Sequence, residues 1–202
     1  MAGPGRLPGI SAAGPGGVQQ VTKIVRLTLV SHAMTSALSA GRFPIDEPLN
    51  GLGHRQVIGA ADLGPVARAL CGPEKRSRQT AELLGLDAAI DQRLSDLDFG
   101  AWRGKTLDAI DPAELAIWLT DPRTAPHGGE SVVDLMCRVR DWLGSITSKQ
   151  SRITVVTHPA VVRAAIMLTL DATANSFWRI DIEPVSSTLL HFRGGAWTFR
   201  VR

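Results

Sequence analysis

Leu27-Thr28-Leu29-Val30-Ser31-His32 and Ile153-Thr154-Val155-Val156-Thr157-His158 read almost alike: an apolar, β-branched run closes on a hydroxyl residue and a histidine. Short apolar runs of this kind, bounded by polar residues, are buried strands. Working outward, Asn50 caps a helix from Gly51 to Asp62, Val66–Cys71 is a strand, and Lys75–Leu84 is a helix stopped by Gly85. Thr106–Ile110 and Asp111–Leu119 read as two short helices, the second opened by Asp111 as cap and Pro112 in its first turn. Ser131 and Asp134 form a capping-box start, and Val132, Leu135, Met136, Val139, Trp142 and Leu143 then share one helical face. Ala160–Leu170 is a helix, and Ser187–Phe192 with Trp197–Val201 make a hairpin around Gly194-Gly195. Strands alternating with helices predict a three-layer α/β/α sandwich with a mostly parallel sheet and an antiparallel C-terminal edge hairpin. Met1–Gln20, dominated by Gly, Pro and Ala, reads as a disordered tail, and residues 21–202 as a single domain.

Composition narrows the function. With 202 residues, 44% hydrophobic and 20% charged, the chain can bury a core without disulfides or a structural metal. No run approaches the roughly 18 apolar residues of a membrane span, and the N-terminus lacks the apolar segment of a secretory signal. Cys71 and Cys137 make no CxxC pair and have no histidine at zinc-ligand spacing, so a reduced, cytoplasmic compartment is expected. The net charge of +3 is scattered along the chain. It suits an anionic small molecule, whereas the case for nucleic acid would rest on the sequence pI of about 9.3 alone.

In open parallel sheets, ligands sit beyond the carboxyl ends of the strands, which is where His32 and His158 fall. A neutral imidazole serves as nucleophile, general base or metal ligand. A strand-end histidine also commonly does no more than satisfy a backbone carbonyl, and it is the pairing that favours function. Arg76 opens a helix that follows a strand, a natural place for a phosphate or oxyanion. On its own, the Lys75, Arg76, Arg78 group would read as a solvated face. Asp96 lies among apolar and aromatic neighbours, where burial raises a carboxyl pKa; capping a turn is the plainer alternative. Trp118, Trp142, Trp178 and Trp197 read as packing residues, Trp102 as packing under its loop and His54 as exposed. His127 falls in a loop that could border a pocket.

Six segments, in order, carry a resemblance. They are Ser31-His32-Ala33, Pro48-Leu49-Asn50, Gly72 to Ala81 with Arg76, Asp96 before Phe99-Gly100-Ala101-Trp102-Arg103-Gly104, Gly128-Gly129-Glu130-Ser131, and Thr157-His158-Pro159. Together they resemble the histidine phosphatase superfamily, in its phosphoglycerate mutase-like phosphatase branch, over Lys23 to the C-terminus. The resemblance implies a phosphoglycerate mutase-like fold, no cofactor, no metal, a small phosphorylated substrate, and neither nucleic acid nor membrane as partner; a dimer is compatible with it. By the same resemblance His32 is the nucleophile, Arg76 and His158 hold the phosphoryl oxygens, and Asp96, in the place of a Glu, is the acid. Ser31, Thr35 and Arg42 join Arg76 as the expected substrate-binding residues.

The pattern is altered at its first motif. Ser31 stands where the family has Arg, and losing such a donor costs about 3–4 kcal/mol, or about 10²–10³ in rate. Ala33 replaces a Gly, Met34 stands where Glu is common, and Leu38 where many members have Asn. Arg42 or Arg78 is a candidate replacement for the lost guanidinium. A phosphomonoesterase working through phosphohistidine is the leading expectation, ahead of a degraded scaffold that only binds a phosphorylated ligand and of a mutase. The loop from Met34 to Pro48 and the segment from Thr106 to His127 are expected to form the lid.

Overall fold

A computed structural model describes residues 24–59, 63–148 and 151–201. Among these residues, six strands form one sheet in the order β3-β2-β4-β1-β5-β6. The central pair is β1 (Val25–Ser31) and β4 (Ser151–Thr157), parallel and in register from Val25↔Ser151 to Ser31↔Thr157. On one side lie β2 (Arg68–Cys71) and β3 (Ala88–Ile90), both parallel. On the other, β5 (Ser187–Arg193) and β6 (Ala196–Arg200) run antiparallel. Gly194 and Gly195 join these two with φ of +64° and +88°, the left-handed pair that a two-residue hairpin turn requires.

Strand alternation divides the core into layers. Leu27, Leu29, Ile153 and Val155 face α5 (Val132–Ser145) and α6 (Pro159–Thr169), and this is the larger core. Val30, Val156 and Cys71 face the opposite side, with Ala81 of α3 (Lys75–Leu83). The six residues placed on one face of α5 are all buried, and its start is the expected capping box, with Asp134 N–H donating to Ser131 Oγ. The three-layer sandwich with its antiparallel edge is therefore the observed architecture.

Local readings need adjustment in several places. The helix capped by Asn50, α2, ends at Ile58 with Gly59 as C-cap, and Ala60 to Asp62 lie outside the described residues, as does the Met1–Gln20 tail. Residues 107–109 form a single 3₁₀ turn rather than a helix, and the helix after Asp111 is α4 (Pro112–Thr120). The four-residue α1 (Ser36–Ser39) and the 3₁₀ segment Ala174–Arg179 have no counterpart in the sequence reading. Among the described residues, no helix is long and apolar enough to cross a membrane.

Candidate active site

The parallel register sets Ser31 beside Thr157, so the residues that follow each strand emerge together. His32 N–H donates to the Thr157 carbonyl at 2.8 Å, and the His32 and His158 rings meet edge-on with centroids 5.2 Å apart. Thr80 ties this corner to α3: its Oγ accepts from Ala33 N–H at 3.0 Å and donates to the Arg76 carbonyl at 2.7 Å.

His32 Nδ1 lies 2.8 Å from the Ala33 carbonyl, an acceptor that fixes the proton on Nδ1 and leaves the Nε2 lone pair free. Burial, then the charges of His158 and Arg76, bring its pKa from 6.5 down to about 3, so the ring is neutral at physiological pH. It lines a cavity of about 130 Å³ with Thr35, Leu38, Arg42, Arg76, Asp96 and Arg163 among the walls. A larger cavity of about 410 Å³ shares Pro44, Arg76, Asp96, Leu97 and Phe99 with it and adds Asp46, Glu74, Asp98 and Arg103.

Arg76, only 2% exposed, is held by Asp96 Oδ2 and the Ile45 carbonyl, each at 2.8 Å, while its buried Nε has no partner among the described residues. Burial raises the Asp96 pKa, but the charges of His158, Arg76 and His32 outweigh that and leave the carboxyl below the ordinary aspartate range. The loop carrying Asp96 is pinned from α5: Arg138 pairs with Glu130 at 2.7 Å and donates to the carbonyls of Arg93, Ser95 and Asp96.

His158 is wholly buried and does not line the cavity. Its Nε2 meets Glu74 Oε2 at 2.6 Å and Ser77 Oγ at 3.1 Å, and its Nδ1 lies 3.4 Å from Asp96 Oδ2 without hydrogen-bond geometry. Directly after it, Pro159 and Ala160 bring the N-terminus of α6 to the cavity wall, with no side chain capping its free N–H groups.

The other candidates divide. Thr35 lines the cavity, though its Oγ is engaged as the N-cap of α1. Arg42 is exposed and lines the same cavity. Ser31 is fully buried, its Oγ has no hydrogen-bond partner among the described residues, and it does not line the cavity. Arg78 faces a separate groove beside Cys71 and Asp87. Trp178 lines the cavity instead of serving as packing alone, whereas Trp102 and His127 sit beneath the loop with centroids 5.0 Å apart. Gly129 lets its loop lie against the backbone of Asp98 and Gly100, where a Cβ would strike the Asp98 carbonyl. Of the two segments expected to form a lid, the loop after Met34 lines the cavity, while Trp118 packs on Phe43 of that loop and Thr106 bridges to Arg42.

Two participants escaped sequence reading. Arg163 of α6 donates from Nε to the Ile180 carbonyl at 2.7 Å, and its guanidinium lies 5.7 Å from the centroids of Phe177 and Trp178. A lone charge in the otherwise uncharged α6 was the available signal. Glu74 carried no local signal. Among the described residues, no group of three or more His, Cys, Asp or Glu side chains is arranged to hold a metal ion.

The model of the histidine phosphatase superfamily (branch 1) matches residues 27–202. A Mycobacterium tuberculosis protein described as bifunctional is 31% identical over 182 residues, 83% of this chain and 50% of that protein. The chain thus spans about half the length of the curated relatives that match it over most of its residues. Glucosyl-3-phosphoglycerate phosphatase of Mycolicibacterium vanbaalenii is 30% identical over 141 residues, 64% of this chain and 63% of the relative. The solved structure of a mycobacterial glucosyl-3-phosphoglycerate phosphatase complexed with VO3 superposes with a TM-score of 0.78 at 26% identity, covering 87% of this chain and 97% of that one.

Proposed function

The chain belongs to the histidine phosphatase superfamily, branch 1, and from that premise we propose that it hydrolyses a small phosphomonoester through a phosphohistidine on His32. The observation that carries this reading is His32 itself: a neutral ring, its Nδ1 committed to the Ala33 carbonyl, in a cavity walled by Arg76 and Arg163. Nε2 attacks phosphorus, the bond to the leaving oxygen breaks, and water then displaces the phosphoryl group from nitrogen.

Arg76 and the α6 N-terminus stabilise the equatorial oxygens, and Arg163 takes over the clamp that Ser31 lacks. Its Nε anchor on Ile180 holds the guanidinium in place and leaves the two Nη groups for an anion. Asp96 is the acid for the leaving oxygen. A cavity of about 130 Å³ suits the phosphoryl group, and the adjoining cavity of about 410 Å³ suits the leaving group. Relatives that act on glucosyl-3-phosphoglycerate make small phosphorylated metabolites the class to screen.

The test is turnover of an aryl phosphate and a metabolite panel by wild type and His32→Ala. Turnover in wild type that His32→Ala abolishes, with phosphate still bound by the variant, is the expected result. Full activity in His32→Ala refutes the nucleophile, and a silent wild type that binds phosphate esters tightly assigns a binding role instead.

A further inference from the structure

The proposed acid poses a problem: Asp96, held below the ordinary range by its cationic neighbours, is ionised in the resting site. A carboxylate has no proton to give a leaving oxygen. The buried neighbourhood of His158 contains the missing element, and it rests on three residues of the Gly72–Ala81 segment. Glu74 Oε2 meets Nε2 at 2.6 Å, Ser77 Oγ stands 3.1 Å from the same nitrogen, and Gly72 makes room for the His158–Glu74 pair. A Cβ at Gly72 would come within 2.9 Å of Nε2 and 3.1 Å of Glu74 Oε2.

We propose that Glu74 is a positioning residue that fixes the proton on His158 Nε2, so that Nδ1 becomes the nitrogen that exchanges a proton with Asp96. This inference rests on the phosphohistidine reading for its chemistry, though the tautomer itself does not. The physical logic is that of a carboxylate orienting an imidazole: with one nitrogen committed to an ionised acceptor, only the other is free to gain or lose a proton. Glu74 also accepts the Asp96 backbone N–H at 3.0 Å, so one side chain sets both the imidazole and the carboxylate it faces.

The proton inventory closes without an outside partner. The step requires one proton shared by His158 Nδ1 and Asp96 Oδ2, which stand 3.4 Å apart. When the phosphorus–oxygen bond breaks, its electron pair goes to the leaving oxygen, which takes that proton from Asp96 and departs as an alcohol. His158 is left neutral with Nε2–H on Glu74. In the second step water attacks phosphorus, the phosphorus–nitrogen bond breaks with its pair returning to His32 Nε2, and the water proton returns to the Asp96–His158 pair. The sum is ester plus water to alcohol plus phosphate.

The groups facing this pair are Glu74, Arg76 and Ser77 from α3, His32 after β1, and Arg163 from α6. The test has two arms. In the first, ¹⁵N NMR of the imidazoles in full-length wild type is expected to show His158 protonated at Nε2, and Glu74→Met to lose that bias. An unchanged His158 spectrum in Glu74→Met overturns the proposal whether or not the protein is an enzyme. In the second, Glu74→Gln and Glu74→Met are expected to lower kcat about 10²–10⁴-fold, with KM changed little and the acid limb of the kcat profile displaced. Glu74→Asp, which keeps the charge, is expected to recover part of the loss. Equal losses in kcat and Tm across all three variants, with the pH profile unmoved, would make Glu74 merely structural and refute the assignment. Wild type without turnover but with the expected tautomer would refute the phosphatase reading and leave the tautomer assignment standing.

Discussion

His32 ties stability to pH in a way that can be measured without knowing the substrate. Its pKa falls from 6.5 to about 3 on folding, because burial and the charges of His158 and Arg76 disfavour the imidazolium. Above pH 6.5 the ring is neutral in folded and unfolded chains alike and contributes no pH dependence. Below 6.5 the unfolded chain binds a proton that the folded protein refuses, so stability is lost as pH falls, and the loss continues down to about pH 3. One such group gives a slope approaching 1.36 kcal/mol per pH unit, or about 2.7 kcal/mol between neutrality and pH 4.5. The window matters. The carboxyls of Glu74 and Asp96, whose ordinary values are 4.5 and 3.8, surrender their stabilisation only as acid carries them from there to their lower folded values. His127 and His191, also held down by burial, add slopes of their own. The comparison of wild type with His32→Asn isolates one proton, since the asparagine amide can still donate to Ala33. Urea unfolding at pH 7.5, 6.0, 5.25 and 4.5 is expected to show a shallower dependence for the variant, whatever its stability at pH 7.5. Parallel curves for the two proteins would refute the buried, uncharged His32 on which the nucleophile depends.

Substitutions at two further positions probe the proposed clamp. Arg163→Met is expected to raise KM for a phosphomonoester dianion and lower kcat/KM by about 10–10³-fold, with Arg163→Lys rescuing little because an ammonium has no Nε to anchor on Ile180 while offering a fork; steady-state kinetics reads this directly. Ser31→Ala is expected to gain about 1 kcal/mol by removing a buried hydroxyl without a partner, whereas Ser31→Arg is expected to lose stability without gaining activity, because that side chain starts in a fully buried position off the cavity; thermal unfolding and turnover of both variants check it.

What could be read from sequence was local, or local twice over. The Ser131 capping box, the Gly194-Gly195 turn and the Asp111-Pro112 helix start each carry their own chemistry within a few residues, and all three stand where expected. His32 and His158 were legible because two strands with matching ends imply neighbouring positions in a parallel sheet. Ala88-Ala89-Ile90 had no such signal: two alanines and an exposed isoleucine form a strand only because β2 offers its edge. Glu74 was hidden for the opposite reason. It sits inside a quoted motif, yet its partner is 84 residues away and wholly buried. His158 illustrates the same limit, since its strand-end position was clear but its burial behind Asp96 depends on where Glu74 and Ser77 fall.

On the proposed reading, the origin of the cations accounts for an active site with Ser31 before the nucleophile. An arginine immediately before the nucleophile would be carried by the same strand end as His32. Here the positive charges come from other elements and are anchored there. Arg76 is tied to Asp96 and the Ile45 carbonyl, and Arg163 to the Ile180 carbonyl beside Phe177 and Trp178. Burial lowers the Arg163 pKa and the nearby Asp181 and Asp96 raise it, so the desolvated guanidinium is held in place by acids, rings and a backbone acceptor rather than by β1. Glu74 adds a negative charge against His158 Nε2; it lines the adjoining larger cavity and not the smaller one that holds His32. On the proposed reading the positive charges come from α3 and α6, the proton from the Asp96–His158 pair, and the end of β1 is left with one task, presenting a neutral nitrogen.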